Sequence, residues 1–188
     1  MNRREALSSV ALLLGGTILG AEAFLSGCKT KTDVVGTSFT PEHIAFLDEV
    51  AETILPATTT PGAKAAKVGE FMTVIVRDCY EEKDQKIFTE GIQKLDDASK
   101  KANGKIFMEA TPVQRHDLLV ALDAEQKDYQ KNKKKDDPTH YFRMVKELTL
   151  WGYFTSEVGA TQALRYVAVP GKYEGCIPYK KGDKAWAT

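Results

Sequence analysis

Between Pro138 and Val158 the sequence carries Tyr141, Phe142, Val145, Leu148, Trp151, Gly152 and Phe154. At helical spacing these positions spread over more than one face. A helix that is apolar on most sides has to be covered on most sides. It is therefore the central helix of a domain, or in part a contact surface for another polypeptide. Either way, the rest of the chain must supply amphipathic segments to wrap it.

Those segments can be read in order. Thr40-Pro41 offers a capping hydroxyl followed by proline at the first helical position. Ile44, Leu47, Ala51, Ile54 and Leu55 follow at helical spacing, and Pro56 stops the run. Residues 56–67 hold two prolines and a glycine and read as a loop. Phe71, Met72, Ile75, Val76, Cys79 and Tyr80 form an i, i+1, i+4, i+5 stripe that predicts a helix over 68–82. The β-branched run Thr73–Val76 is also compatible with a strand. Phe88, Ile92, Leu95 and Ala98 predict a helix over 84–102. Gly91 within it costs about 1 kcal/mol relative to alanine. Asn103-Gly104 reads as a turn. Thr111-Pro112 repeats the cap-plus-proline start, and Leu118, Leu119 and Leu122 give the buried face of a helix to about residue 129. QKNKKKDD (130–137) reads as a solvated charged linker. The aromatic helix spans 138–158, with a short helix over 160–166 after it. The segment from Val169 mixes glycine, proline and aromatic residues without periodicity. The expected fold is all-α: an irregular bundle of about five helices with an extended C-terminal arm.

The 26 basic and 26 acidic residues cancel. A zero net charge provides no overall electrostatic footprint for nucleic acid or for an anionic membrane surface. No Gly-rich strand-to-helix turn for a dinucleotide occurs outside the N-terminal segment. There is no phosphate-binding Gly-x-x-x-x-Gly-Lys loop and no Cys-x-x-Cys-His haem site. His43, His116 and His140 do not stand at zinc-site spacings and read as exposed helix-surface residues. Glu109, Asp117 and Asp123, near His116, read as helix-surface charges. No catalytic, cofactor-binding or metal-binding residue is expected in this chain.

The N-terminus reads as an address. Arg3 and Arg4 precede an apolar stretch from Val10 to about Ala21, broken by Gly15, Gly16 and Gly20. It falls short of the roughly 20 apolar residues needed to span hydrocarbon, so a signal peptide is the better reading. Leu25-Ser26-Gly27-Cys28 resembles the lipobox of bacterial lipoproteins. That resemblance implies cleavage before Cys28 and a lipid on its thiol. Arg3-Arg4 with Leu7 partly resembles the twin-arginine export signal, with Ala6 in place of the usual phenylalanine. The expected organisation is a cleaved signal over 1–27, a flexible tether over 28–38 and one helical domain over 39–188. The domain would be exported and lipid-anchored to a cell-envelope membrane, facing the periplasm. In that setting Cys79 and Cys176 favour pairing. A bridge would close a loop of about 97 residues and add about 4 kcal/mol in the chain-entropy picture. The alternative is a buried free Cys79 with an exposed Cys176.

Four segments together carry a wider resemblance: FTPEHIAFLDEVAETILPATTTPGAK, RDCYEE, ELTLWGYFTSEVGATQALRY and VPGKYEGCIP. They resemble the gluconate 2-dehydrogenase subunit 3 family over about residues 39–179. Thr155 to Gly159 and Pro170 to Tyr173 are the most specific part. The resemblance implies an accessory subunit that accompanies a large flavoprotein dehydrogenase acting on sugars or polyols at the periplasmic side. FAD is then expected in the partner and not in this chain, and a cytochrome c subunit is a further possible partner. The family offers no catalytic residues to carry over. Trp151, Tyr153 and Phe154 stand as candidates for the partner interface, with Ser156, Glu157 and Gly159 as interface or packing residues. The competing reading is a stand-alone lipoprotein binding module of the cell envelope, which predicts an apolar ligand pocket.

Overall fold

Five helices account for the body of the domain in a computed structural model that describes residues 38–169, 171–172 and 175–187. The expectations for Arg3, Arg4 and Cys28 lie outside the described residues. The helices are α1 (Pro41–Ile54), α2 (Val68–Cys79), α3 (Glu82–Asn103), α4 (Pro112–Asn132) and α5 (Tyr141–Thr155). A 3-10 turn at Phe107–Glu109 joins α3 to α4, and a π-type turn at Gly159–Ala163 follows α5. No strand occurs among the described residues. The arm holds one isolated parallel bridge, between Arg165 and Trp186. The all-α reading holds.

Local chemistry accounts for the helix ends. Thr40 and Thr111 both form capping boxes, with His43 and Gln114 returning the bond to the cap backbone. Gly104 closes α3 in the left-handed region at φ 71°, and its N–H donates to the Lys100 carbonyl at 2.9 Å. Two expected boundaries move. α5 begins at Tyr141 and not at Pro138, because His140 is the cap: its Nδ1 accepts from the Phe142 N–H at 3.3 Å. It ends at Thr155, where Ser156 turns extended at φ −73°, ψ 159°. The short helix expected over 160–166 is only the π-type turn. Thr73–Val76 is helical because Met72, Thr73 and Val76 all bury on one side of α2. Burial here outweighs the β-branched preference.

α5 is central. It touches each of the other four helices and buries Phe142, Met144, Val145, Leu148, Thr149, Gly152 and Tyr153. Around it pack Phe46, Leu47 and Val50 of α1, Met72 and Val76 of α2, Phe88 and Leu95 of α3, and Leu118, Leu119 and Leu122 of α4. Phe107, fully buried on the 3-10 turn, tilts against Phe46 with ring centroids 5.4 Å apart.

Helices approach closely where side chains are missing. A Cβ on Gly91 would lie 2.6 Å from the Tyr141 Cβ, and one on Gly152 would lie 2.6 Å from the Phe71 ring. The glycine that looks costly inside α3 is the notch that receives α5. Gly91→Ala should therefore destabilise the domain by about 1–2 kcal/mol, as overpacking outweighs the propensity gain of about 1 kcal/mol. Urea unfolding of the two proteins checks the sign; a stabilised variant would contradict the packing.

Candidate functional site

The last turns of α5 place apolar side chains both inside and outside the bundle. Trp151 is 51% exposed and Phe154 38% exposed, whereas Tyr153 is only 4% exposed. Leu150 is also exposed, and so is Val74 on α2. Residues three and four apart share a helix face, so Leu150, Trp151 and Phe154 make one stripe. The Trp151 ring meets Phe71 of α2 edge-on, with centroids 5.3 Å apart. Val74 lies one turn beyond Phe71 on α2. The result is an apolar ridge across α2 and α5.

Tyr153 does not belong to that ridge, which corrects the sequence expectation. Its ring is in the core, and its hydroxyl donates to the Pro61 carbonyl at 2.7 Å. It thereby ties α5 to the loop between α1 and α2. The same loop is held by Glu52, whose carboxylate accepts from the Ala57 N–H at 2.9 Å and the Lys64 N–H at 2.8 Å. Gly62 leaves room for that carboxylate; a Cβ there would fall 2.2 Å from it. Adjacent residues on a helix point about 100° apart, so no reading of composition separates Tyr153 from its neighbours.

Of the other singled-out residues, His116 is exposed, but the remaining two histidines are not bare surface residues. His43 completes the α1 capping box. His140 stacks on Tyr141 at 4.7 Å, lies 5.5 Å from the Tyr129 ring, and is 3.4 Å from the Glu125 carboxylate. Burial, with Glu125 adding to it, pushes the Tyr141 phenol up to about 12. Among the described residues no group of three or more His, Cys, Asp or Glu is placed to hold a metal ion. Cys79 and Cys176 are free thiols, and both are exposed. Exposure at Cys79 corrects the buried alternative: the buried row on α2 closes at Val76, and Tyr80 takes the half-buried position beyond it.

Two ionic clusters are structural. Arg115 pairs with Glu49 and donates to the Phe107 carbonyl at 2.9 Å and the Met108 carbonyl at 2.6 Å, with its guanidinium over the Phe107 ring. Asp123 accepts from Lys127 at 2.7 Å, Lys146 at 2.5 Å and Gln126 at 3.1 Å. Those bonds, from Lys127 and then Lys146, hold its carboxyl far below the usual carboxylate range against the opposing effect of burial. Asp123 also borders a shallow groove of about 220 Å³ with Ile54, Leu119, Val120, His116 and Phe142. That volume is below the usual size of a small-molecule pocket.

A helical bundle with an unfilled apolar ridge and self-paired ionic clusters has the character of a subunit. Residues 41–171 match the gluconate 2-dehydrogenase subunit 3 family, and the chain belongs to it. The match contains the whole ridge. By its description the family is one subunit of a larger dehydrogenase, so partner subunits are implied. No curated protein and no solved structure matches the chain.

Two outcomes follow from this placement. Trp151→Ala and Phe154→Ala should each cost no more than about 1 kcal/mol of stability, and Tyr153→Ala about 3–5 kcal/mol. Equal losses in urea unfolding would mean that the ridge is core. Asp123→Asn should cost about 1–2 kcal/mol near neutral pH. A lowered folded pKa makes this contribution complete above the unfolded aspartate value of about 3.9 and loses it as pH falls through the folded value. The gap between wild type and variant should thus be constant from neutral to mildly acidic pH and close only at strongly acidic pH.

Proposed function

We propose that this chain is a non-catalytic accessory subunit that binds, escorts and membrane-anchors a periplasmic FAD-dependent dehydrogenase of the sugar or polyol (gluconate) type. The observation that carries the proposal is the ridge of Leu150, Trp151 and Phe154 beside Phe71 and Val74, exposed on a domain whose core is already complete. Large aromatic side chains left in water suit the centre of a subunit interface, where tryptophan most often dominates binding energy. The family supports a multi-subunit setting.

In this reading the flavin resides in the partner. The lipobox-like Leu25-Ser26-Gly27-Cys28 supplies the membrane anchor through a lipid on Cys28. The Arg3-Arg4 signal suits export of an already folded companion, because a flavin enzyme loads its cofactor before crossing the membrane. A cytochrome c subunit would carry electrons onward.

Co-purification and fractionation test the proposal. The native chain should bring down a flavin-containing dehydrogenase from detergent extract. Trp151→Asp with Phe154→Asp should weaken that association by about 2 kcal/mol or more, roughly thirtyfold in Kd, with the helical content unchanged. Deleting residues 1–28 should strand the flavoprotein in the cytoplasm, and Cys28→Ser should release the complex from the membrane fraction. Normal export of the flavoprotein in cells lacking this chain would end the escort role. A monomeric profile in gel filtration of the native extract would favour the stand-alone binding module.

A further inference from the structure

The neutral net charge conceals a segregation. From Arg165 to the end the chain carries five basic residues (Arg165, Lys172, Lys180, Lys181, Lys184) and two acidic ones, whereas from Phe39 to Leu164 it carries 17 basic and 21 acidic. The same arm leaves Tyr166, Val167, Val169, Ile177, Tyr179 and Trp186 exposed. Its two ends are nonetheless held together. The Arg165 N–H donates to the Ala185 carbonyl at 2.7 Å, and the Ala187 N–H returns a bond to the Arg165 carbonyl at 2.9 Å. The Arg165 guanidinium lies over the Trp186 ring at 4.8 Å, and Lys184 Nζ donates to the Gln162 carbonyl at the foot of the arm. A groove of about 390 Å³ opens between Arg165, Ile177, Tyr179, Lys184 and Trp186.

We propose that this C-terminal arm is a membrane-contacting element. It would seat Tyr179, Trp186 and Ile177 in the headgroup layer of an anionic phospholipid leaflet, with Lys180 and Lys181 facing the lipid phosphates. Three observations select a bilayer over a protein as the occupant. Lysines interleaved with tyrosine, tryptophan and single aliphatic side chains form the composition of a membrane interface. The arm has no helical or strand periodicity, so it offers isolated inserting groups and no packed face. Lys180, Lys181 and Trp186 also lie beyond residue 171, where the match to the family ends, and beyond the segments that resemble it. The interface shared by the family is therefore better sought on the ridge.

The proposal deepens the anchoring role and depends on the lipid tether only for delivery. The ten residues 29–38 span at most about 35 Å when fully extended, which would hold the domain close to the leaflet.

The test removes the lipid and keeps the rest of the chain, so that failure of the arm and failure of the lipid anchor are separable. The chain from residue 28, with Cys28→Ser, carries no acyl group and retains all of the helical unit, whose core lies between Phe46 and Tyr153. It should sediment with vesicles of phosphatidylglycerol in phosphatidylcholine and not with phosphatidylcholine alone, and added salt should release it. K180Q with K181Q should lower partitioning about twenty-fivefold, at roughly fivefold per lysine near an anionic surface. K134Q with K135Q, in the loop between α4 and α5, should leave it unchanged. In the W151F background Trp186 is the one remaining tryptophan, and its emission should shift to the blue on binding. Failure to bind phosphatidylglycerol vesicles, an equal effect of both lysine pairs, or an unmoved Trp186 emission would each overturn the proposal. Weaker flavoprotein co-purification by K180Q with K181Q, without vesicle binding by the parent chain, would overturn it in favour of a protein partner.

Discussion

The seating of α5 on two glycine notches governs the rest of the domain. Tyr141 rests on Gly91 of α3, and Phe71 of α2 rests on Gly152 of α5, each where a methyl group would be about an ångström too close for ordinary contact. Notches near both ends of one fifteen-residue helix bring its axis near two neighbours at once. Leu148, Val145 and Phe142 then reach the core made by α1 and α4. A helix set less deeply would leave voids that side chains of this size do not fill, and such voids are expensive. Once α5 is seated, its large apolar side chains left most exposed are Leu150, Trp151 and Phe154. The ridge is what remains after the four surrounding helices have been placed.

Acidic side chains and backbone N–H groups complete the framework between helices. Asp48 accepts from the Gly69 N–H at the start of α2, Glu52 accepts from two N–H groups of the α1–α2 loop, and Asp96 accepts from the Phe107 N–H. Each joins a helix side chain to a connecting segment or the start of the next helix. At Gly69 and Phe107, which are buried, the bond satisfies a backbone donor that would otherwise be costly. Arg115 works in the opposite sense, donating to the carbonyls of Phe107 and Met108. The connections are therefore nearly as determined as the helices. This explains how a loop with two prolines and three consecutive threonines can hold Pro61 in register for the Tyr153 hydroxyl.

Much of this was legible beforehand, for physical reasons. Thr-Pro caps, a Gly104 stop and leucines at helical spacing are local signals, and the structure keeps α1, α3 and α4 where those signals lie. The reading was weaker where long-range contact decides. Phe107 sits on a 3-10 turn too short to show periodicity, yet it is among the largest fully buried side chains. His140 reads as a surface histidine until the neighbouring Phe142 N–H makes it a cap. The sequence groups Tyr153 with Trp151 and Phe154 because aromatic content alone cannot say which of three nearby rings faces inward. That decision rests with the Pro61 carbonyl, 92 residues away in the chain.

Charge illustrates the same difference between totals and placement. A balance of 26 against 26 argues against a polyanion-binding protein only if the charges are mixed. Here the helical body is on balance acidic and the arm basic. Screening confines the influence of each charge to about 10 Å at ordinary ionic strength. A surface therefore responds to the nearest few side chains and not to the sum. An acidic body would be held off an anionic leaflet while a basic, aromatic arm is drawn to it. If the domain is tethered through Cys28 as proposed, that opposition would favour one orientation over free tumbling. The ridge lies on α2 and α5 and the arm begins after the π-type turn, so the two surfaces use different residues. A partner can occupy the ridge without competing with lipid for the side chains of the arm.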